Sequence, residues 1–312
     1  MAKTGNGSGA MNSLLHSTFE ALLYGRVVPE DRAVYPPGAL ATIAAGALER
    51  FGQRKAGGAD IHLTDVDGPD GARITVIEAI NDDKPFLVAS TLAELNERGL
   101  DVRLVAHPVL AVRRNDKGEL TSLGGLAGAG PDPDFVRESF VHIHVARIVG
   151  KAAREALVRS LQEIYRDIGL AVHDWKAMRE RLAGVAHRYR EHPPMLPADE
   201  IAEAVQFLDW LAADNFSFLG MREYRFASLA SEPVAGAGLG ILSDPEVKVL
   251  RRGSELVVTT PEIRAFLSEP SALIITKANV RSRIHRRVHM DYIGVKLIDE
   301  TGALEGELRL IG

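Results

Sequence analysis

An α+β fold with two antiparallel-sheet domains is predicted for this chain on three observations. Residues from Ile74 to Asp174 alternate short β-branched runs with helical stripes in the order β-α-β-β-α-β. The prolines of "HPPMLP" separate that block from a second β-rich stretch that starts near Asp214. The length of 312 residues, 46% hydrophobic and 25% charged, is ordinary for globular protein and too great for one comfortable core. The βαββαβ order is the split-βαβ, ferredoxin-like arrangement, an antiparallel sheet with two helices on one face.

The elements follow in sequence. Residues 1–13, "MAKTGNGSGAMNS", are Gly/Ser-rich and expected to be disordered. Residues 14–55 carry two helical patterns, "LLHSTFEALLYG" and, after Pro36 and Pro37, "ALATIAAGALERFGQR", which read as a packing cap. Residues 56–174 form the ferredoxin-like domain. In it "RITVIEAI" reads as a buried strand, and "FLVASTLAELNERG" puts Val88, Leu92 and Leu95 on one helical face and stops at Gly99. "DVRLVAHPVLAVRR" resumes strand character, with Pro108 confining it to an edge, a bend or a break. "SFVHIHVARI" alternates Val141, Ile143 and Val145 with His142 and His144. "KAAREALVRSLQEIYRDIG" aligns Leu157, Leu161, Ile164 and Ile168, and "LAVHDW" is expected to close the set as a strand. A helical connector over 175–213 places Trp175, Met178, Leu182, Val185 and Tyr189 on one stripe, then Ile201, Val205, Leu208 and Leu211 on another. Over 214–312 the strands "FSFLGMREYRF", "ALIITKA", "DYIGVKLI" and "LEGELRLI" build a second domain, the last two joined by the hairpin turn "DETG". The text stops at Gly312 directly after a strand, so the natural polypeptide is expected to continue.

Composition excludes several functions. Lys plus Arg total 37 against 42 Asp plus Glu, and a net charge of -5 gives no global attraction to nucleic acid or anionic membrane. The absence of cysteine removes disulfides, thiol catalysis and thiolate metal sites. No apolar run approaches the roughly 20 residues of a membrane helix, and the N-terminus lacks the apolar core of a signal peptide, so a cytoplasmic protein is expected. No G-x-G-x-x-G opens a helix after a strand: Gly236, Gly238 and Gly240 are read as part of a flexible loop, and "GGLAGAGPDP" runs into prolines. Neither H-E-x-x-H, G-x-S-x-G nor a P-loop occurs. Hence no catalytic residue, no cofactor and no metal site is assigned within these residues.

Three groups of polar residues invite a role. Asn81, Asp82 and Asp83 in "INDDKP" lie between a strand and a helix. There an aspartate could cap the helix ahead of Pro85, or carboxylates and helix amides could meet a ligand. His142 and His144 share one strand face about 6.5 to 7 Å apart, but nothing nearby supplies further metal ligands, and a solvated or interface face is expected. In "RSRIHRRVH" the residues Arg281, Arg283, His285, Arg287 and His289 alternate with Ile284 and Val288, Arg286 being the exception, which predicts a strand with one basic face. Such a ladder repels itself unless something negative lies opposite. Nucleic acid fits poorly, because interleaved aromatics are missing; an anionic metabolite is a further candidate, and carboxylates of another segment or subunit, which suit desolvated arginine, are preferred.

The blocks "INDDKPFLVASTLAELNERGLDVRLVAHPVLAVRRNDKGEL", "ESFVHIHV", "FLDWLAADNFSFLGMREYRF", "GLGIL" and "LIITKANVRSRIHRRVHMDYIGVK" resemble, in this order, the N-terminal region of the large bacterial NAD-specific glutamate dehydrogenases. In that family the region carries ACT-like and PAS-like modules, and the nucleotide-binding and catalytic domains lie much further along the chain. The resemblance implies a regulatory and oligomerisation segment with no cofactor of its own, NAD serving the full-length enzyme. It implies an ACT-like first domain, an ACT- or PAS-like second one, and as partners the enzyme's own catalytic region and other subunits of a homo-oligomer. It also implies an amino-acid effector at Asn81, Asp82 and Asp83, or else a structural arm with no ligand. Where relatives read "NDDMPFLVDS", Lys84 and Ala89 stand here.

Overall fold

A computed structural model describes residues 7–54, 58–128, 130, 132–228, 231–299 and 301–312. The chain divides into two compact units, Met1–Arg166 and Asp167–Gly312. The division falls inside one 41-residue helix.

In the first unit three helices come first: α1 (Gly7–Tyr24), the short α2 (Pro29–Ala33) and α3 (Ala39–Phe51). The expected disorder of residues 1–13 lies outside the described residues for 1–6, whereas Gly7–Ser13 already belong to α1. There follow β1 (Asp60–Asp67), β2 (Arg73–Asp82), α4 (Leu87–Glu97), β3 (Val102–Ala106), β4 (Val109–Arg114), β5 (Leu120–Leu126), β6 (Val136–Ala146) and α5 (Lys151–Glu191). The sheet order is β1-β2-β6-β4-β5, with β3 also on β6, and every pair is antiparallel. Pro108 breaks one strand into β3 and β4, since proline has no amide to give the ladder. Because β6 runs antiparallel to both β2 and β3, those two are mutually parallel across it, with α4 as their crossover: a split βαβ unit.

The expected closing strand "LAVHDW" is instead helical and lies inside α5. Two causes are visible. The apolar stripe Leu157, Leu161, Ile164, Ile168, Ala171, Met178, Leu182, Val185 and Tyr189 keeps helical spacing past Asp174 with all nine buried, whereas Trp175, expected on the stripe, is exposed. The sheet position beside β2 is already filled by β1.

Alternation along the strands gives the sheet two packed faces. Ile74, Val76, Ile80, Leu110, Val112 and Phe140 join Phe19, Leu23, Ile43, Ala47 and Phe51 of α1 and α3 in one core. The rings of Phe19, Phe51 and Phe140 lie 5.3 to 6.0 Å apart. Burying each contributes roughly 1.5–3 kcal/mol. The other face carries Ile77, Ala79, Val141, Ile143 and Val145, also buried, on the side of α4 and the start of α5. There Thr91 and Tyr165 share a hydroxyl bond of 3.0 Å, and Thr75 Oγ1 accepts the Ile148 amide at 2.9 Å. α4 is turned from its expected face: Leu87, Ser90, Thr91, Glu94 and Leu95 are buried, and Val88 and Leu92 only half so.

The second unit holds the rest of α5, then α6 (Ala198–Trp210), β7 (Gly220–Arg225), β8 (Val234–Gly240), β9 (Leu250–Arg252), β10 (Glu255–Val257), α7 (Pro261–Ser268), β11 (Leu273–Arg281), β12 (His289–Ile298) and β13 (Leu304–Ile311). The main sheet runs β11-β12-β13-β7-β8, antiparallel throughout, with β9 and β10 a separate pair. Gly236–Gly240, read as a flexible loop, are the edge strand β8: Gly238 and Gly240 sit where a Cβ would strike Leu242 O at 1.8 Å and Leu219 O at 2.3 Å. The expected hairpin joins β12 to β13 through Asp299, whose Oδ1 accepts from the Thr301 amide, the Thr301 hydroxyl and the Ala303 amide at 2.7 to 2.9 Å. Met221, Ile293, Val295, Leu308 and Leu310 pack with Met178, Leu182, Val185, Val205 and Leu208.

Candidate functional site

In the first unit β2 ends at the polar loop. Asn81 is buried and donates to Asp82 O at 3.1 Å. Asp82 pairs with Arg54 at 2.8 Å and Lys84 at 3.4 Å. Burial pushes its carboxyl up, but hydrogen bonding and attraction from Arg54, then Lys84, hold it below the usual range. Asp83 Oδ2 accepts from Arg137 Nη2 at 2.8 Å and Nε at 3.1 Å. Neither aspartate caps α4: the N-cap is Phe86, at φ 73°, with no side-chain cap bond. Beside the loop His107 Nε2 lies 2.6 Å from Ser139 Oγ, and burial lowers the His107 pKa against a smaller upward pull from Asp83. Sequence reading missed Arg54, Arg137, His107 and Ser139: strand register brings the last three to the loop, and Arg54 arrives from the segment after α3. Asn81 stands opposite Ser139 and Asp82 opposite Glu138.

Glu138, fully buried, gathers two arginines. Its Oε1 accepts from Arg54 Nη1 and Arg114 Nε, and its Oε2 from Arg114 Nη2, each at 2.8 Å. The Arg114 guanidinium also lies over the Phe51 ring, 4.9 Å from its centroid. Arg54 thus ties the loop after α3 to both Asp82 and Glu138.

His142 and His144, expected on a solvated or interface face, are fully buried. They lie on the sheet face that meets the N-terminal helices. Their Nε2 atoms are 2.8 Å apart, Tyr24 Oη is 3.0 Å from His142 Nε2, and Tyr35 Oη is 2.7 Å from His144 Nδ1. His142 Nδ1 is 3.2 Å from Glu78 Oε1, an ion-pair distance outside good hydrogen-bond alignment. Glu78 is clasped by Arg50, whose Nη2 donates to Oε1 at 2.9 Å while Nε donates to Oε2. Burial pushes Glu78 up, and the Arg50 hydrogen bonds, with the His142 ring close by, reverse this to about 2. Burial lowers His144 to about 2 and raises Tyr35 to about 12. Among the described residues no group of three or more His, Cys, Asp or Glu is arranged to hold a metal ion.

In the second unit Arg281, Arg283, His285, Arg287 and His289 do not form the expected strand. β11 ends at Arg281, which pairs with His289, and residues 282–288 make an irregular turn. Ser282 causes the break: its hydroxyl exchanges bonds with the Ile284 carbonyl and amide at 2.8 and 3.0 Å, and His285 adopts φ 61°. Arg283 Nη2 donates to Asp167 Oδ2 at 2.7 Å, a carboxylate of its own chain.

The same unit holds a second buried polar group. Arg309 donates to Tyr292 Oη, Glu307 Oε2 and Val258 O at 2.8 to 3.0 Å, with its guanidinium 4.1 Å from the Tyr224 ring centroid. Tyr292 also donates to Glu307. Burial pulls the Arg309 pKa down, but Glu307 and the tyrosines more than offset it. Lys296, lowered by burial, donates to Glu269 O at 2.5 Å.

Comparison with known proteins places these features. Residues 19–161 match the family described as glutamate dehydrogenase, ACT1 domain. The chain is 32% identical over 245 residues to the NAD-specific glutamate dehydrogenase of Halomonas elongata and 29% identical over 245 residues to that of Pseudomonas aeruginosa. Each match covers 76% of this chain and 15% of the relative, so the chain spans a small part of their length. A solved RNA-binding light-oxygen-voltage receptor overlaps 94% of this chain and 85% of its own, with 9% identity and a TM-score of 0.20, too slight a likeness to bear on the fold. Among the described residues no helix is long and apolar enough to cross a membrane. The chain therefore belongs with the N-terminal region of the large NAD-specific glutamate dehydrogenases, its residues 19–161 being their ACT1 domain.

Proposed function

We propose that these residues are a non-catalytic regulatory and oligomerisation segment of an enzyme that oxidises glutamate to 2-oxoglutarate and ammonia with NAD in the cytoplasm. The match of residues 19–161 to the ACT1 family carries this reading. Topology supports it. Dinucleotides bind at the carboxyl ends of parallel strands, and every strand pair described here is antiparallel. The split βαβ unit of the first sheet supports an ACT-like, ferredoxin-like domain whose edge strand comes from before the unit. In the second sheet the last strand returns to the first and, among the described residues, no split βαβ forms, which favours PAS-like over ACT-like.

The proposed effector is an amino acid at Asn81, Asp82 and Asp83. Paired carboxylates and the guanidinium of Arg137 offer partners to both an ammonium and a carboxylate. The effector biases subunit packing by the usual 1 to 3 kcal/mol or so of coupling. The turn from Arg281 to His289 is the proposed contact to the catalytic region or a neighbouring subunit. One observation favours a second reading, a structural arm without ligand: Asp82 and Asp83 already have Arg54, Lys84 and Arg137 as partners. Removing residues 1–312 from the full-length polypeptide discriminates. A regulatory segment leaves turnover in place and abolishes the response to amino acids. An arm leaves dissociated subunits whether or not amino acids are added, and loss of all chemistry under native assembly contradicts both.

A further inference from the structure

The buried chain of polar groups in the first unit is absorbed by neither reading, and with both imidazoles neutral one arrangement of hydrogens links it. Glu78 is ionised, so His142 turns a protonated Nδ1 toward it and leaves Nε2 as an acceptor. The single lone pair of that nitrogen is shared by His144 Nε2–H at 2.8 Å and the Tyr24 hydroxyl at 3.0 Å. His144 Nδ1 is then bare and accepts the Tyr35 hydroxyl at 2.7 Å. The chain ends on Tyr24 of α1, on Tyr35 just after α2 and, through Glu78, on Arg50 of α3, so each N-terminal helical segment is tied to the sheet through it.

We propose that the chain Tyr35, His144, His142, Glu78 is a proton-operated latch: neutral His144 pins the N-terminal helices to the sheet, and protonation of His144 releases them. A second proton would turn Nδ1 into a donor against a hydroxyl that now donates to it, and would set a cation in the core. The charged and titratable groups around it do not welcome that cation. α1 presents Glu20 and Tyr24, the α2 segment Asp31 and Tyr35, α3 Glu49 and Arg50, β2 Glu78, β3 Arg103, and β6 His142. Of the carboxylates only Glu78 is buried with the imidazoles, and it is already engaged by Arg50 and His142. Burial accordingly keeps His144 neutral in the folded chain, while the unfolded chain takes up its proton near the ordinary value of 6.5. Release would bare an apolar surface that includes Phe19, Leu23, Ile43 and Phe51 on the helices and Ile74, Val76 and Phe140 on the sheet. The latch stands whether or not the polar loop binds an effector.

The test is hydrogen exchange on the 312-residue chain between about pH 7 and pH 5, above the titration of Glu78. One proton taken up on opening at 6.5 lowers protection factors of amides in α1 and α3 by roughly 25-fold over that interval. Amides of β12 and β13 serve as the internal reference and are expected to hold. His144→Leu is expected to abolish the pH dependence whatever it does to absolute protection. Should that variant not fold, nitrogen NMR of the native chain decides alone: His144 neutral at pH 5 in the closed state upholds the latch. A protonated His144 under fully protected helices overturns it, as does an unchanged pH dependence in His144→Leu.

Discussion

Arg50 on α3 and Glu78 on β2 form a two-point pair, Nη2 to Oε1 at 2.9 Å and Nε to Oε2. Glu78 is fully buried and Arg50 about three-quarters so, which makes the pair an anchor of helix to sheet. Breaking one side leaves an uncompensated charge, which costs roughly 3–5 kcal/mol, and the exposed part of Arg50 places this pair at the low end. Arg50→Met is therefore expected to destabilise the first unit by about 3 kcal/mol, and Arg50→Met with Glu78→Leu by less, in urea unfolding followed by fluorescence.

Acid sensitivity should come in two stages. His144 is depressed in the fold, so the unfolded chain binds the extra proton first, and stability falls as pH drops below about 6.5. Glu78 is also depressed, to about 2, and its contribution is present above its ordinary 4.5 and lost between there and about 2. Urea midpoints measured from pH 8 to pH 3 should show both slopes. His144→Leu is expected to remove the upper one and Glu78→Gln the lower.

Arg309 lies within a buried frame of Glu307, Tyr292 and Tyr224, where planar geometry serves three acceptors and two rings at once. Lysine cannot reproduce this. Arg309→Lys is expected to cost about 2–3 kcal/mol and Tyr292→Phe about 1–2 kcal/mol, read from denaturant midpoints of the second unit.

Gly118 holds φ 81°, and a Cβ there would lie 1.9 Å from Arg54 O. Gly118→Ala is expected to cost more than about 1 kcal/mol and to loosen Arg54 from Glu138 and Asp82. Gly184, two turns from the C-terminal end of α5 with open space around it, is the control: Gly184→Ala is expected to stabilise by about 0.4–1 kcal/mol. Thermal melts of the two variants make the comparison.

What the sequence disclosed depended on range. The split βαβ unit, the break at Pro108, the stripe along α5 and the Asp299 hairpin were legible because each rests on local period or turn chemistry. His142 and His144 were misread because alternation marks a polar face without saying what covers it. Their partners Tyr24, Tyr35 and Glu78 lie 64 to 118 residues away in the chain. The basic run from Arg281 failed for a local reason, since period two predicts a strand only where the backbone keeps its ladder, and Ser282 turns it aside. "LAVHDW" failed because a helix already under way outcompetes β-propensity, and β1 had taken the sheet edge. Within the loop, Asn81, Asp82 and Asp83 were visible, but Arg137 and His107 arrive only through strand register.

The effector reading is tested most directly by titrating each of the twenty amino acids into the 312-residue chain while following the melting of the first unit. At a hundredfold excess over its dissociation constant, a bound effector contributes about 2.7 kcal/mol, or roughly 5 °C or more for a unit of this size. The account predicts such a shift for at least one amino acid and its loss in Asp83→Asn with Arg137→Met. No shift with any of them at saturating concentration would contradict it.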